Sequence, residues 1–303
     1  MGNAGYSVRN YQSADFARLI KLIREVEALE PSGRDVSFEE NLDLPGHQAE
    51  KNLFLVETSG EVVGYLDILP ELEIGRLVLD ALIHPAHLRR GLFSILLDRA
   101  SVRGGELRAK VAHFRIDETN EVAQTILLKR GFRAVRRFLE LNLELSDYLP
   151  QPDVPTTLLL RPLELVDITA LCQLQNECFS GTWGFNPNTD EEIDYRLGLS
   201  SASTADVILA CAGGRPAGYC WTKRTGGGKG QIFMLGVHPS YRGRGLGREL
   251  LLAGISRLKN RGLTRVDLSV DGENRVALSL YESLGFCQKS VSIWYEREIS
   301  YKA

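Results

Sequence analysis

Cysteine is scarce in the 303-residue sequence, and Cys172, Cys178, Cys211, Cys220 and Cys287 all lie in its second half. They are odd in number and form no C-x-x-C pair, which speaks against a disulfide framework. Small buried hydrophobes in a reducing compartment are expected instead. No spacing sets a base beside any of them, so a thiol nucleophile is not called for. Long apolar runs are missing as well: none approaches the roughly 18 residues that a spanning helix needs. The opening MGNAGYSVRN has no basic stretch ahead of an apolar core, and Tyr6 stands where a myristoylated Gly2 would want Ser or Thr. A cytoplasmic protein without membrane attachment is the expectation. Charge of one sign is lacking too. A net charge of −3 and a pI near 6.0 give no whole-molecule pull on phosphate backbones or anionic lipid, so nucleic acid and membrane are not expected partners, and no metal site is indicated.

What is present is length for two domains of about 150 residues each, with an ordinary 44% of hydrophobic and 25% of charged residues. An internal repeat supports two domains. At an offset of 154, Gly64-Tyr65 falls on Gly218-Tyr219, His84-Pro85 on His238-Pro239, and Arg90-Gly91-Leu92 on Arg244-Gly245-Leu246. Asp117, Asn120, Ala123 and Gly131-Phe132 then fall on Asp271, Asn274, Ala277 and Gly285-Phe286 without a gap. Such a register implies two copies of one domain, 1–148 and 149–303. Pro150, Pro152 and Pro155 mark an extended linker over 149–157.

Within the second copy the hydrophobic period alternates. Strands are predicted over 157–161, 207–212, 217–222, 231–237 and 265–270, with Gly213-Gly214 as a hairpin turn. Helices are predicted through Ile168, Leu171, Leu174 and Cys178, over 247–259, and over 275–283 with Gly285 as its stop. The fold class that follows is α/β: two tandem domains, each a mixed sheet flanked by helices.

The strongest chemical signal runs from Leu235 through Val237, His238-Pro239 and Arg242-Gly243-Arg244-Gly245-Leu246-Gly247-Arg248, between an apolar strand and an amphipathic helix. Glycines let backbone N–H groups converge, and the helix N-terminus adds partial positive charge, so the loop suits a pyrophosphate reinforced by Arg242, Arg244 and Arg248. It is not a Walker loop, because Arg248 and Glu249 follow Gly247 where Lys and Ser/Thr are required. It is not a dinucleotide fingerprint either, because Arg248 occupies the place of the third glycine.

Arg242-x-x-Gly245-x-Gly247 before a helix, followed by Asn274-x-x-Ala277-x-x-x-Tyr281-x-x-x-Gly285-Phe286, closely resembles the acetyl-CoA-binding motifs of the GNAT acetyltransferase superfamily. The resemblance covers both copies, implying tandem GNAT-like domains whose sheets are mixed and mostly antiparallel. It implies that residues 242–248 grip the pyrophosphate of acetyl-CoA, that Leu235 and Val237 pair with the pantetheine arm and hold the thioester oxygen, and that Asn274 touches that arm. Tyr281 would protonate the departing thiolate, unless its ring serves only to pack beside Phe286. The activity implied is N-acetyl transfer from acetyl-CoA to a small-molecule or peptide amine.

The first copy departs from this pattern: Leu88, Phe93 and Leu127 stand in for Arg242, Gly247 and Tyr281. An aliphatic side chain donates no proton, so the first copy is expected to be a degenerate half, in a monomer whose domains are related by a pseudo-two-fold axis. This layout, with Gly218-Tyr-Cys-Trp221-Thr-Lys, is similar to the mycothiol synthase family, which joins a degenerate half to an active one. Gln231 matches the place where that family carries a glutamate serving the substrate amine, and glutamine accepts no proton. Residues 179–203, with Trp183 and Phe185, are the expected acceptor wall. Thr189-x-x-Glu192 reads as a capping box, Asp271 and His238 read as turn residues because both recur in the first copy, and no general base is assigned.

Overall fold

The computed structural model describes residues 5–29, 37–146, 158–199 and 202–299; the expected linker at 149–157 lies outside them. The chain forms two compact units: unit 1 comprises residues 1–116, 121–135 and 294–303, and unit 2 comprises 117–120 and 136–293. They do not follow the sequence copies. The last strand of each copy passes from one unit into the other, so unit 2 contains residues 136–146 of the first copy and unit 1 ends with residues of the second.

The first copy runs β1 (Ser7–Asn10), α1 (Phe16–Leu29), α2 (Ser37–Leu42), α3 (Ala49–Asn52), β2 (Leu53–Thr58), β3 (Glu61–Glu71), β4 (Arg76–Ile83), α4 (Leu92–Glu106), β5 (Val111–Asp117), α5 (Glu121–Lys129) and β6 (Arg133–Glu144). The second runs β7 (Leu159–Pro162), α6 (Ile168–Phe179), α7 (Asp190–Gly198), β8 (Val207–Ala212), β9 (Arg215–Thr225), β10 (Lys229–Val237), α8 (Leu246–Asn260), β11 (Arg265–Asp271), α9 (Arg275–Ser283) and β12 (Cys287–Glu298). The sheet of unit 1 is ordered β1-β2-β3-β4-β5 and closed by the end of β12; that of unit 2 is ordered β6-β11-β10-β9-β8-β7. A parallel pair occurs in each, β4 with β5 and β10 with β11.

Unit 2 buries both faces of its sheet. On β9 the period of two sends Tyr219 and Trp221 to a core with α6 and α7, and Cys220 to a core with α8 and α9. The α8 sequence supplies Leu246, Leu250, Leu251, Ile255 and Leu258 at helical spacing, and all are buried. Gly236 can only be glycine here: a Cβ would lie 2.5 Å from the Tyr219 ring. Both units tie their first strand to the first helix in the same way, through the Arg9–Asp15 and Arg161–Asp167 pairs, each 2.6 Å at its nearest.

Candidate active site

The site of unit 2 begins where two strands part. β10 and β11 pair in parallel over only three positions, ending at Gln231↔Asp267. Beyond them β11 stays with β6 as far as Asp271↔Phe138, while β10 stays with β9. A bulge between Ile232 and Met234 takes Phe233 out of register and bends β10 away. The result is a wedge-shaped opening. Past this point Leu235 and Val237 pack towards the α8 and α9 core, and Phe233 and Met234 towards the α6 and α7 core. Unit 1 lacks the bulge: β3 and β4 keep one register from Gly64↔Ile83 to Glu71↔Arg76. Its parallel pair runs on to Leu79↔Phe114, and the Phe93 ring lies 5.8 Å from that of Phe114.

The loop after β10 starts with His238, whose Nδ1 accepts from the Ser240 N–H, the turn role that its recurrence suggests. Gly243 and Gly245 take left-handed conformations at φ 74° and 85°, and Gly245 caps α8. The N–H groups of residues 243–247 make no hydrogen bond among the described residues. Five open donors thus precede and begin a 15-residue helix, at its positive end. Unit 1 keeps this backbone shape, with Arg89 at φ 60° and Gly91 at φ 75°, so the two loops differ in side chains more than in path.

The three arginines divide their work. Arg242 turns back into the protein, where Nη2 donates to the Cys178 carbonyl at 2.7 Å and Nε to that of Val237 at 3.1 Å. It clamps the end of α6 to the end of β10. Arg244 lies 5.6 Å from the centre of the Tyr241 ring. Arg248 reaches Ser283 from the first turn of α8. A Cβ on Gly247 would meet Val237 and Leu280 at an ordinary 3.7 Å. Only a larger side chain would intrude there, and it would do so between α9 and the end of β10. Leu246 is a buried core residue.

Asn274 is the N-cap of α9: its Oδ1 accepts from the Ala277 N–H at 3.1 Å, leaving the exposed amide nitrogen without a partner among the described residues. Tyr281 lies one helix face inward, 8% exposed, edge-on to Phe286 at 5.8 Å. Its hydroxyl makes no hydrogen bond among the described residues. Burial, with Cys220 adding, raises the phenol's pKa well above its usual value, so it remains protonated at neutral pH. Leu127 takes its place in unit 1 and is buried.

Trp183 and Phe185 belong to the α6–α7 loop. Phe185 stacks on Phe179 at 5.3 Å, and Trp183 packs on Phe138 of β6 at 6.1 Å with the Arg136 guanidinium 5.8 Å from its ring. Glu192 and Thr189 form the expected capping box. Asp271 is held by Arg136 and receives the Glu273 N–H, which makes it a turn anchor. Gln231 sits at the last rung before the strands part. Burial holds the Cys178 and Cys220 thiols up at about 12 and Cys172 at about 11, so these three are unreactive. Sequence reasoning missed the β6 residues Arg136, Phe138 and Glu140, which reach this unit through the strand exchange. Among the described residues no group of metal-ligating side chains occurs, and no helix is long and apolar enough to cross a membrane.

An opened parallel strand pair leading to a glycine-rich helix start defines an acetyltransferase architecture, and the Acetyltransferase (GNAT) family profile matches residues 168–286. A mycothiol acetyltransferase from Thermomonospora curvata is 33% identical over 246 residues, covering 78% of this chain and 79% of that one. The chain belongs to the GNAT acetyltransferase family and is an N-acetyltransferase. Among solved structures, a GCN5-related N-acetyltransferase from Sphaerobacter thermophilus superposes with a TM-score of 0.73 at 26% identity, over 98% of this chain and 97% of that one. A tandem GNAT protein from the clavulanic acid biosynthesis pathway shares the fold, with a TM-score of 0.76 at 18% identity over 98% and 100% of the two chains.

Proposed function

We propose that unit 2 moves the acetyl group of acetyl-CoA directly onto a small primary amine. The observation that carries this reading is the parted β10 edge leading in sequence straight into the five open N–H groups of residues 243–247. The neutral amine nitrogen bonds to the thioester carbonyl carbon of acetyl-CoA, the C–S bond breaks with the pair leaving on sulfur as thiolate, and the proton that the nitrogen sheds passes to solvent. Residues 243–247 and Arg248 hold the pyrophosphate, the β10 edge through Leu235 and Val237 holds the arm, and the Asn274 amide nitrogen donates to it. A backbone N–H of that edge meets the negative charge that builds on the carbonyl oxygen. Tyr281 donates to the departing sulfur. With its pKa raised by burial, the phenol stabilises thiolate charge chiefly as a hydrogen-bond donor.

The name of the curated relatives points to a mycothiol-type acceptor. Gln231 weighs against the same substrate, since it accepts no proton where the mycothiol synthase family carries a glutamate. Thiol release from acetyl-CoA, measured with aminoglycosides, polyamines, peptides and amino-sugar thiols, tests the reading. At least one amine should raise the rate well above hydrolysis, and Gly247→Phe, aimed between Val237 and Leu280, should abolish the gain. Release no faster with any amine than with water overturns the proposal.

A further inference from the structure

The geometry points to a second binding site in unit 2, one for a phosphate ester, built by Arg257 and Arg261 at the C-terminal end of α8 and by Arg224 of β9. It does not depend on the acetyl-transfer reading. Two hollows adjoin there, with Arg261 lining both. The larger, about 400 Å³, lies beside Ser256, Arg257 and Asn260. The other, about 280 Å³, is lined by Ser203, Asp206 and Arg224. α8 has 15 residues and so is about 22 Å long, which separates these arginines from the open N–H groups of residues 243–247.

Three guanidinium groups line these hollows with a single carboxylate. Asp206, 3% exposed, ends the 3-10 turn that leads into β8. Its Oδ1 accepts from Arg261 Nη1, and its Oδ2 from the Ser203 hydroxyl at 3.0 Å. Arg257 Nε comes only to 3.9 Å from that Oδ1, too far for a hydrogen bond, and this buried donor has no partner among the described residues. Burial, with the neighbouring Arg261 charge adding, lowers the Arg257 pKa from its usual value. Arg224 makes no hydrogen bond or ion pair among the described residues. It stands on the α8 side of β9 with Thr222, two residues back, whose hydroxyl donates to the Asp206 carbonyl at 3.0 Å. The helix end does not occupy the arginines either, because the backbone N–H groups of residues 261–263 take the Leu258 and Lys259 carbonyls.

The other unit shows the same place in balance. At an offset of 154, Asp206, Arg224, Arg257, Asn260 and Arg261 fall on Asn52, Pro70, Arg103, Glu106 and Leu107. There the one arginine is satisfied by its neighbours: Arg103 Nε donates to Asn52 Oδ1 at 2.8 Å and Nη1 to Glu106 at 2.7 Å. Unit 2 has a neutral Asn260 in place of that glutamate and two further arginines, so its charge is met from outside. The ligand that fits is a phosphate monoester. Planar guanidinium groups meet its oxygens in pairs, Ser256 and Asn260 add neutral donors, and the larger hollow has room for a small organic body.

The test is calorimetry on the full chain at low salt, with glucose 6-phosphate as the probe and glucose as its neutral control. The ester should bind with a Kd of about 1 mM or tighter, and glucose should not bind. Arg224→Gln and Asn260→Glu, both at exposed positions, should keep the wild-type Tm and each weaken the ester at least about tenfold. Arg248→Met, at the other end of α8, should leave the ester's affinity within about twofold. An ester bound no more tightly than glucose overturns the proposal, as does an affinity that either Arg224→Gln or Asn260→Glu leaves unchanged. Loss of binding in Arg248→Met would place the anion at the 243–247 loop and overturn it as well. None of these readouts uses thiol release, so the site and the acetyl-transfer reading stand or fall separately.

Discussion

At the scale of single residues, Arg242 and Arg248 show why a charged motif does not assign its own roles. Both flank the same loop, yet Arg242 spends its guanidinium on two main-chain carbonyls, whereas Arg248 projects from the first turn of the helix whose N-terminus is open. Arg242→Met should therefore lower Tm by several degrees, through the loss of two charge-assisted hydrogen bonds, and shift the acetyl-CoA Kd less than about threefold. Arg248→Met should do the reverse, weakening acetyl-CoA roughly tenfold at nearly constant Tm. Thermal melts and calorimetry on both variants separate the two roles. Tyr281 raises a parallel question, because its ring packs against Phe286 whatever its hydroxyl does. Tyr281→Phe keeps the ring and removes only the donor. A fall in kcat of about 100-fold at unchanged acetyl-CoA affinity is expected, and an unchanged rate where chemistry limits turnover would leave the residue a packing role alone.

At the scale of elements, most of unit 2 was legible because its strands and helices keep clean periods. The predicted strand over 207–212 and helix over 275–283 match β8 and α9 residue for residue, and 247–259 lies one residue inside α8 at each end. The glycine-rich loop was legible for a local reason, since left-handed backbone at Gly243 and Gly245 is written into residue type. The bulge at Phe233 was not. A bulge depends on the register between two strands, and nothing in Gln231-Ile-Phe-Met-Leu-Gly-Val departs from an ordinary strand pattern. Register also hid β6, whose residues look like the end of the first copy until their partners on β11 are seen. Polar anchors were partly hidden too: the Arg9–Asp15 pair joins residues six apart in a segment given no element beforehand. Its energetics can be checked. Hydrogen bonds from Arg9, with help from Gln12 and Arg18, lower the Asp15 pKa from 3.8 to about 2. A folded-state value below the unfolded one means stabilisation that is complete above about pH 4 and is lost as pH falls through about 2. The gap corresponds to about 2 kcal/mol for this 4%-exposed group. Asp15→Asn should accordingly be less stable than wild type by about that much at pH 7 in urea titrations, with the difference shrinking between pH 4 and pH 2.

At the scale of the whole molecule, the two copies are neither independent nor equivalent. Unit 1 retains the loop path, but its strands part later and without a bulge: pairing persists to Leu79↔Phe114, and the Phe93 ring rests against Phe114. Restoring one functional group should then achieve nothing, and Leu127→Tyr is expected to add no thiol release to a Tyr281→Phe background. Unit 2, for its part, is not encoded by the second copy alone. Its sheet includes Phe138 to Glu144 of β6, paired with β11 over seven positions from Arg265↔Glu144 to Asp271↔Phe138. β6 also carries the Arg136 that holds Asp271 and the Phe138 that supports Trp183. A fragment that begins at residue 158 would leave β11 with an unpaired backbone edge and would bare the side of Leu268 and Val270 that packs with Leu141 and Leu143. It should be poorly soluble and inactive. A fragment that begins at residue 133 restores that edge and should recover solubility and measurable transfer. Equal behaviour of the two fragments in soluble yield and thiol release would show β6 to be dispensable and would return the boundary to the linker.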